Sequence, residues 1–449
     1  MAFEITNEFL NHLSELISSN NDDAITSLFE EVHFADIAEV LEELDFEDAI
    51  FIIKLLDSEK TSEILTELDE SIREKILENL SAKEIAEEVE EMDSDDAADI
   101  IGELSEERQE RVINAIQDNE LAADIKELLS YKDDSAGSLM AKELVKVYET
   151  WTVAGCMRRI RGQAKDVTRV HSIYVVDKED KLVGRLSLKD LIIAKSDQKI
   201  ADISKSKVDA VNVNEDDEEV AKIMIKYDLE AIPVVDDNNV LVGRITIDDI
   251  VDVLKEEAER DYQMAAGLTQ DVDSDDSILD LTKARLPWLF LGLLGGVGAF
   301  IIMEGFQGVF TKYATLFFFT PLIAAMAGNV GVQSSAIIVQ GLANDDVKGS
   351  IKSRLFKEML LAALNGVILA LFLFLFVWVY EGKINVALAI SVSLVVVIII
   401  AGLIGTFVPL FLNKRGIDPA IATGPFITTS NDIFGILIYF LIAKLILGI

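Results

Sequence analysis

From Arg285 onward the chain carries five apolar stretches, near residues 286–307, 315–342, 357–379, 385–412 and 420–446. Each reaches the ~20 residues a bilayer-spanning helix requires. No other feature narrows the fold as much. Hydrocarbon offers no water to unpaired amides, so such segments must satisfy their backbone internally as helices. Residues 285–449 therefore predict an all-α polytopic membrane domain of five helices. Five of the six prolines lie in this half, as do the adjacent Gly295 and Gly296, and membrane helices carry more Pro and Gly than soluble ones. Basic residues crowd alternate loops. Lys283 and Arg285 precede the first span, Lys348, Lys352, Arg354 and Lys357 lie between the second and third, and Lys414 and Arg415 between the fourth and fifth. The opposite loops hold Lys312 and Lys383. The positive-inside rule then places the chain in the cell membrane with a cytoplasmic N-terminus and an outside C-terminus. The opening MAFEITNEFLNHL lacks the basic-then-apolar pattern of a signal peptide, which agrees.

Charge divides the chain in the same way. Residues 1–130 hold 39 acidic and 8 basic side chains, residues 131–280 hold 33 and 21, and residues 281–449 hold 7 and 11. So anionic a first half excludes nucleic acid as a partner, because phosphate contacts need a basic footprint. Cations are its natural counter-species. The single cysteine, Cys156, excludes an intrachain disulfide and reads as a packed core thiol.

Asp432 stands inside the fifth span, in GPFITTSNDIFGILIYF, with no Lys or Arg within ten residues on either side. A carboxylate in hydrocarbon costs about 3 kcal/mol on insertion scales, so an ionisable residue there is a functional hypothesis by default. Asp345, Asp346 and Glu381 read as loop residues, and Glu304 and Glu358 as lying near span ends. Asp418 is expected at the cytoplasmic start of span five, about 21 Å below Asp432 on nearly the same helix face. Thr428, Thr429 and Asn431 adjoin Asp432, and Gly424 and Pro425 interrupt the backbone ladder beneath it. In span two, PLIAAMAGNVGVQSSA carries Gly328, Asn329, Gly331, Gln333 and Ser334. Taken singly, these polar groups read as interhelical hydrogen-bonding residues. Asp432 instead needs a proton, a watery cavity or a metal cation. Oxygen-only surroundings suit a hard ion such as Mg2+ or Ca2+, and one or two carboxylates with retained water is the Mg2+ pattern. A two-fold dimer supplies two copies of Asp432.

The first 130 residues repeat with a period of twelve from position 33, beginning HFADIAEVLEEL and DFEDAIFIIKLL. The ninth position is always aliphatic, from Leu41 to Ile113, and the twelfth always apolar. Asp or Ser opens units three to seven, and Ser81 with Glu84 spells a capping box. The pattern predicts short capped helices stacked into an all-α superhelix over residues 1–130.

A second repeat pairs IYVVDKEDKLVGRLSLKDLI (173–192) with IPVVDDNNVLVGRITIDDIV (232–251). Each copy reads strand, turn, strand, helix. This resembles a tandem of α/β CBS (cystathionine β-synthase) domains over residues 131–257, at about 135–195 and 199–257. The family's G-x-x-[ST]-x-x-D pattern falls on Gly184, Ser187 and Asp190, then on Gly243, Thr246 and Asp249. The resemblance makes the aspartates ribose ligands, the hydroxyls phosphate contacts, and ATP a candidate ligand. The same pattern also serves the fold alone. Residues 258–284 then read as an acidic connecting helix and linker.

The four parts in this order resemble the MgtE-type magnesium transporters over essentially the whole chain. AGSLM (136–140), YDLEAIPVVD (227–236), GNVGVQ (328–333) and DPAIATGPFITTSNDIFG (418–435) carry the resemblance. It implies a homodimeric Mg2+ channel in the lipid bilayer, with Mg2+ as both substrate and regulator. The pore is then lined by spans two and five, with Asp432 as selective site, Gly328, Asn329 and Thr428 beside it, and Asp418 at the mouth. Regulatory Mg2+ is expected at Asp216, Glu218, Asp228, Asp249, Asp252, Glu257, Glu259 and Asp261, and on the superhelix at Asp93, Asp95, Asp96 and Asp99. Family members commonly show E-A-T-E-D in the connecting helix. Here it is Glu257-Ala258-Glu259-Arg260-Asp261, so Arg260 replaces one carboxylate. An alternative of another class is a membrane-anchored CBS nucleotide-sensing scaffold in which Asp432 is structural. Proton-coupled exchange needs a relay of deep ionisable residues, and Asp432 alone reads as deep. An enzyme is not expected, since the three histidines (His12, His33, His171) and lone cysteine form no catalytic constellation.

Overall fold

The computed structural model describes every residue except 1, 2, 166, 168, 271, 273–275, 345, 346, 348, 423 and 449, together with the side chain of Ala422. The expected loop residues Asp345, Asp346 and Lys348 therefore lie outside the described residues. The chain divides into two units, 1–255 and 256–449, each taken by itself below.

The first unit opens with the helices α1 (Asn7–Ser18), α2 (Asp22–Phe29), α3 (Phe34–Glu42), α4 (Phe46–Leu55), α5 (Ser58–Glu67), α6 (Glu70–Glu78), α7 (Ala82–Val89), α8 (Ser94–Gly102), α9 (Glu106–Ile113) and α10 (Asn119–Leu128). From α3 to α9 each twelve-residue unit makes one helix. The ninth-position side chains Leu41, Ile53, Leu65, Leu77, Val89, Ile101 and Ile113 are all buried. Odd helices stack on odd (α3, α5, α7, α9) and even on even (α2, α4, α6). That stacking buries the faces a lone short helix would leave wet. Asp57 and Ser81 cap α5 and α7 through their side chains, and Ser81 with Glu84 forms the expected capping box.

The CBS pair follows. Its first half runs β1 (Val145–Tyr148), α11 (Val153–Gln163), β2 (Ile173–Val176), β3 (Leu182–Leu186) and α12 (Leu188–Ile193), and α13 (Ile200–Ile203) leads on. The second runs β4 (Val211–Asn212), α14 (Asp217–Tyr227), β5 (Ala231–Val235), β6 (Leu241–Thr246) and α15 (Ile247–Ala266). In each sheet a parallel pair (β1–β2, β4–β5) is extended by an antiparallel hairpin (β2–β3, β5–β6). Gly184 and Gly243 stand at equivalent positions, opposite Val175 and Val234. The turns match as well. Asp177 accepts from the amides of Glu179 and Lys181, and Asp236 from those of Asn238 and Val240. The hairpins join through Leu182 N–H to Asn239 O and Leu241 N–H to Asp180 O, both 3.0 Å. Cys156 is buried, and burial pushes its thiol up to about 11, as a core role requires.

The second unit holds the end of α15, then α16 (Ile278–Gly305), α17 (Gln307–Lys312), α18 (Ala314–Ala343), α19 (Ile351–Glu381), α20 (Ile384–Asn413), a 3-10 turn at Pro419–Ala422 and α21 (Gly424–Leu447). The helices α16, α18, α19, α20 and α21 are long and apolar enough to cross a membrane. Among them α20 is central, packing on α18, α19 and α21, while α16 leans on α21. Small residues let the backbones close: Gly331 of α18 lies against Gly405 of α20, and Gly366 of α19 against Val395.

Three expectations are corrected. The first and third apolar helices begin at Ile278 and Ile351, ahead of 286 and 357, because Ser277 and Ser350 cap them through their side chains. Span five begins at Gly424 rather than 420, and Asp418 is not on it. Pro419 disfavours a helical conformation at Asp418, and Gly424 at φ +42° breaks the chain again. Asp418 instead accepts from the Ala420 amide at 2.7 Å and so opens the 3-10 turn. Its common face with Asp432 therefore does not exist. Glu358, read as lying near a span end, sits two turns into α19, where Ser334 of α18 donates to it at 2.6 Å.

Candidate functional sites

In the membrane unit the candidate site lies on the seam between α18 and α21. Gly328 and Gly331, one helical turn apart, leave a groove in α18 that the polar face of α21 fills. A Cβ built on Gly328 would meet Thr428 Cγ2 at 3.3 Å and Asp432 Oδ1 at 3.8 Å. One on Gly331 would collide with the amide of Asn431. Asp432 is half-buried and has neither a cationic nor a hydrogen-bond partner among the described residues. Thr428 donates to the Gly424 carbonyl one turn below at 2.9 Å. Pro425, expected to interrupt the ladder, sits instead in the first turn of α21, where a missing N–H costs little. Gly267, ending α15 at φ +88°, lies against Pro425, and Gly424 lies against the Ala265 carbonyl. The connecting helix thus abuts the start of span five.

Asn329 and Gln333, which read as interhelical bonding groups, do not act so. Both are exposed on the face of α18 and make no hydrogen bond among the described residues. Sequence reasoning gave Asn431 no role beyond adjoining Asp432. It is buried to 1 % exposure, and both of its amide atoms lack a hydrogen-bond partner.

The first unit gathers a second set of carboxylates where α8 meets the CBS pair. Oxygens of Asp93, Asp95 and Glu143 lie within 4.8 Å of one another. Asp96 and Asp99 follow along α8, and Asp248 and Asp249 face them from the start of α15. Glu143 escaped the sequence reading because it lies in the connector before β1, outside both repeats. Its carboxylate accepts from Ser94 N–H at 3.2 Å and Ser94 Oγ at 2.8 Å, and Lys142 N–H donates to Ser94 Oγ at 2.8 Å. Glu143 thus caps α8 from another domain, favourably placed at the positive end of the helix dipole. Asp93, the N-cap position of α8, makes no cap bond. It faces Arg244 Nη2 at 3.4 Å instead.

Burial and then like charge raise these carboxyls. Asp93 is pushed up to about 6 by burial and by Glu143, with Arg244 opposing. Asp96 rises to about 7 by burial and Asp249, and Asp99 to about 7 by burial and Asp96, although both side chains still meet solvent. Asp95 and Asp249 move upward for the same first reason. An all-carboxylate cluster held together against its own repulsion is what a hard divalent cation relieves.

The other expected regulatory residues stand elsewhere. Asp216 is the N-cap of α14, Glu218 pairs with Lys222 at 2.9 Å, and Asp228 closes α14 at φ 53°. Asp252 lies on α15, its carboxyl raised by burial. In the second unit Glu257 pairs with Arg260 at 2.7 Å, so Arg260 also occupies a neighbouring carboxylate. Glu259 is exposed and Asp261 half-buried. The expected nucleotide residues are bound to each other. Ser187 and Asp190 form a capping box, and Asp249 accepts from both N–H and hydroxyl of Thr246 at 2.8 Å.

Five apolar helices with a carboxylate at a glycine-lined seam, preceded by an acidic helical array and a CBS pair, define a polytopic membrane protein of the divalent cation transporter class. The family model described as MgtE, divalent cation transporter, matches residues 320–442. The MgtE intracellular N domain matches 32–134, and the CBS domain matches 136–197 and 200–256. The chain belongs to the MgtE family. It is 34% identical over 317 residues to the magnesium transporter MgtE of Bacillus subtilis, covering 70% of each chain. It is 35% identical over 323 residues to that of Thermus thermophilus, covering 71% of this chain and 72% of that one. Among solved structures, the cytosolic domain of the Mg2+ channel MgtE in complex with ATP superposes with a TM-score of 0.52 at 34% identity, over 54% of this chain and 99% of that one. The soluble part of a magnesium transporter gives 0.50 at 31%, over 56% and 98%. The expected family and fold class are thereby borne out.

Proposed function

We propose that this chain is a Mg2+-selective channel of the cell membrane, working as a homodimer and gated by Mg2+ on the cytoplasmic side. The observation that carries the reading is Asp432, a carboxylate with no counter-charge among the described residues, at the seam of spans two and five. A hydrated divalent ion answers its charge through oxygen ligands and retained water. The exposed amides of Asn329 and Gln333 support a polar path along the same face of span two. Amides do not face lipid without cost, and a second copy opposite them would enclose that path and bring a second Asp432. Gly328 and Thr428 shape the seam, and Asp418 belongs to the mouth. The chain then divides at 1–130, 131–257, 258–284 and 285–449, and the order of the family models, at 32–134, at 136–197 with 200–256, and at 320–442, supports the sequence of helical domain, CBS pair and membrane domain.

Regulation follows from the acidic cluster. Divalent ions at Asp93, Asp95, Asp96, Asp99, Glu143 and Asp249 favour the closed arrangement of α8 on the CBS pair in proportion to their differential affinity. Asp216, Glu218, Asp228, Asp252, Glu257, Glu259 and Asp261 supply further weak sites. The contact of Gly267 with Pro425 supports transmission through the connecting helix into span five. ATP binds the CBS pair at Ser187–Asp190 or Thr246–Asp249, a reading supported by the relative solved with ATP.

The test is Mg2+ uptake into proteoliposomes. Asp432→Ala should lower flux at least about tenfold while the protein stays folded, the scale of losing a charge-assisted interaction. Unchanged flux with intact protein would favour the nucleotide-sensing scaffold instead.

A further inference from the structure

Glu358 stands in α19, one turn before the buried Ala362, on the face that packs on α20. It reaches past α20 because Gly402 has no side chain. A Cβ built there would meet Glu358 Oε1 at 2.9 Å and Ala362 Cβ at 3.4 Å. Through that notch the same oxygen accepts from Ser334 Oγ of α18 at 2.6 Å, the length of a charge-assisted hydroxyl–carboxylate bond. Ser334 is buried and Glu358 half-buried. One carboxylate thus joins three spans, about one turn from the point where Gly331 of α18 closes on Gly405 of α20. An ionisable group among spanning helices is costly and calls for a role, and neither the seam at Asp432 nor the acidic cluster uses it.

The neighbours of Ser334 supply the role. Gln333 lies about 100° and Asn329 about 140° round the helix from it, and both amides are exposed. Gly328 and Gly331 let α18 approach its neighbours but have no side chain to set its rotation. We propose that Glu358 is a positioning residue of the ion path: its bond to Ser334 fixes the rotation of span two, so that Gln333 and Asn329 face the permeating ion. This deepens the reading of spans two and five as the pore and rests on it. Glu358 touches no ion in this role. What it supplies is a directional acceptor, reaching span two from span three.

The experiment joins Mg2+ uptake into proteoliposomes with labelling of Gln333→Cys by a membrane-impermeant thiol reagent under chelation. Cys156 is buried and leaves the background silent. Gln333→Cys should label in otherwise wild-type protein. Adding Glu358→Ala should slow that labelling at least about tenfold, and Glu358→Ala alone should lower flux by a similar factor, the scale of a buried hydrogen bond left unmade. Glu358→Gln keeps the acceptor and should restore both to within about threefold. Ser334→Ala should match Glu358→Ala in flux, and the double variant should be no worse than either, because the two residues share one bond. The proposal is overturned if Glu358→Ala labels and conducts like wild type. It is also overturned if Glu358→Gln is as impaired as Glu358→Ala, for the charge and not the bond then matters, or if the two losses multiply in the double variant. Failure of the underlying reading looks different and takes the proposal with it: Gln333→Cys then stays unlabelled with Glu358 intact.

Discussion

Glu88, half-buried in α7, shows how one carboxyl contributes to the pH response of the helical array. Burial raises it to about 7, with the Ser58 hydroxyl opposing. A carboxyl whose folded pKa lies above its unfolded one contributes stability that is complete below about 4.5 and lost as pH rises through 7. Glu88→Gln should therefore stabilise α5 and α7 above neutrality by about 1–2 kcal/mol, after allowing for solvent screening, and change little in acid. Hydrogen exchange of those helices on either side of neutrality checks it. A variant no more stable than wild type at high pH would contradict it. Residues were legible in the sequence where isolation marked them. Asp432 stood out because its surroundings are apolar for a whole span. Glu143 and Arg244 had no such mark, since their partners lie 49 and 151 residues away. Asn431 was hidden by its neighbour, for nothing in a sequence shows that an amide is buried and unpaired.

Elements were read best where a period repeats. The twelve-residue spacing gave one helix per unit because each apolar pair has no other surface to cover it. The spanning helices were legible by length, but their ends were not, since serine caps and the Pro419 and Gly424 breaks decide them locally. Glycine in α18 carries a prediction of its own. Gly331→Val should separate α18 from α21 and α20, at the 1–3 kcal/mol typical of overpacking, and abolish transport, whereas Gly292→Val, in open space on α16, should be tolerated. Equal flux in both would contradict the seam. At the other site, Asp93, Asp96 and Asp99 titrate above their usual range where α8 packs on the CBS pair, the arrangement proposed to be closed. Closing therefore takes up protons, and its stability is lost as pH rises through about 6–7. Less Mg2+ should then be needed to protect the α8 amides from hydrogen exchange in acid than in base. A requirement that rises on acidification would contradict it.

At the scale of the whole molecule, the proposed function ties sensing to transport through charge separation. The first 130 residues carry 39 acidic against 8 basic side chains, and the membrane domain presents at the seam of α18 and α21 a carboxylate with no counter-charge among the described residues. On the proposed reading one ion serves both, as ligand for the first and as cargo for the second. Domain order was legible because the twelve-residue repeat, the paired strand–turn–strand–helix repeat and the apolar spans follow one another along the chain. The pairing of α18 with α21 was expected only through the family resemblance, although these two spans are the least apolar of the five. The most direct test is Mg2+ flux through Asp432→Asn in proteoliposomes, a change that removes the charge and keeps the shape. The account predicts a loss of at least about tenfold in flux, with α8 still protected by Mg2+. Wild-type flux in that variant would contradict it.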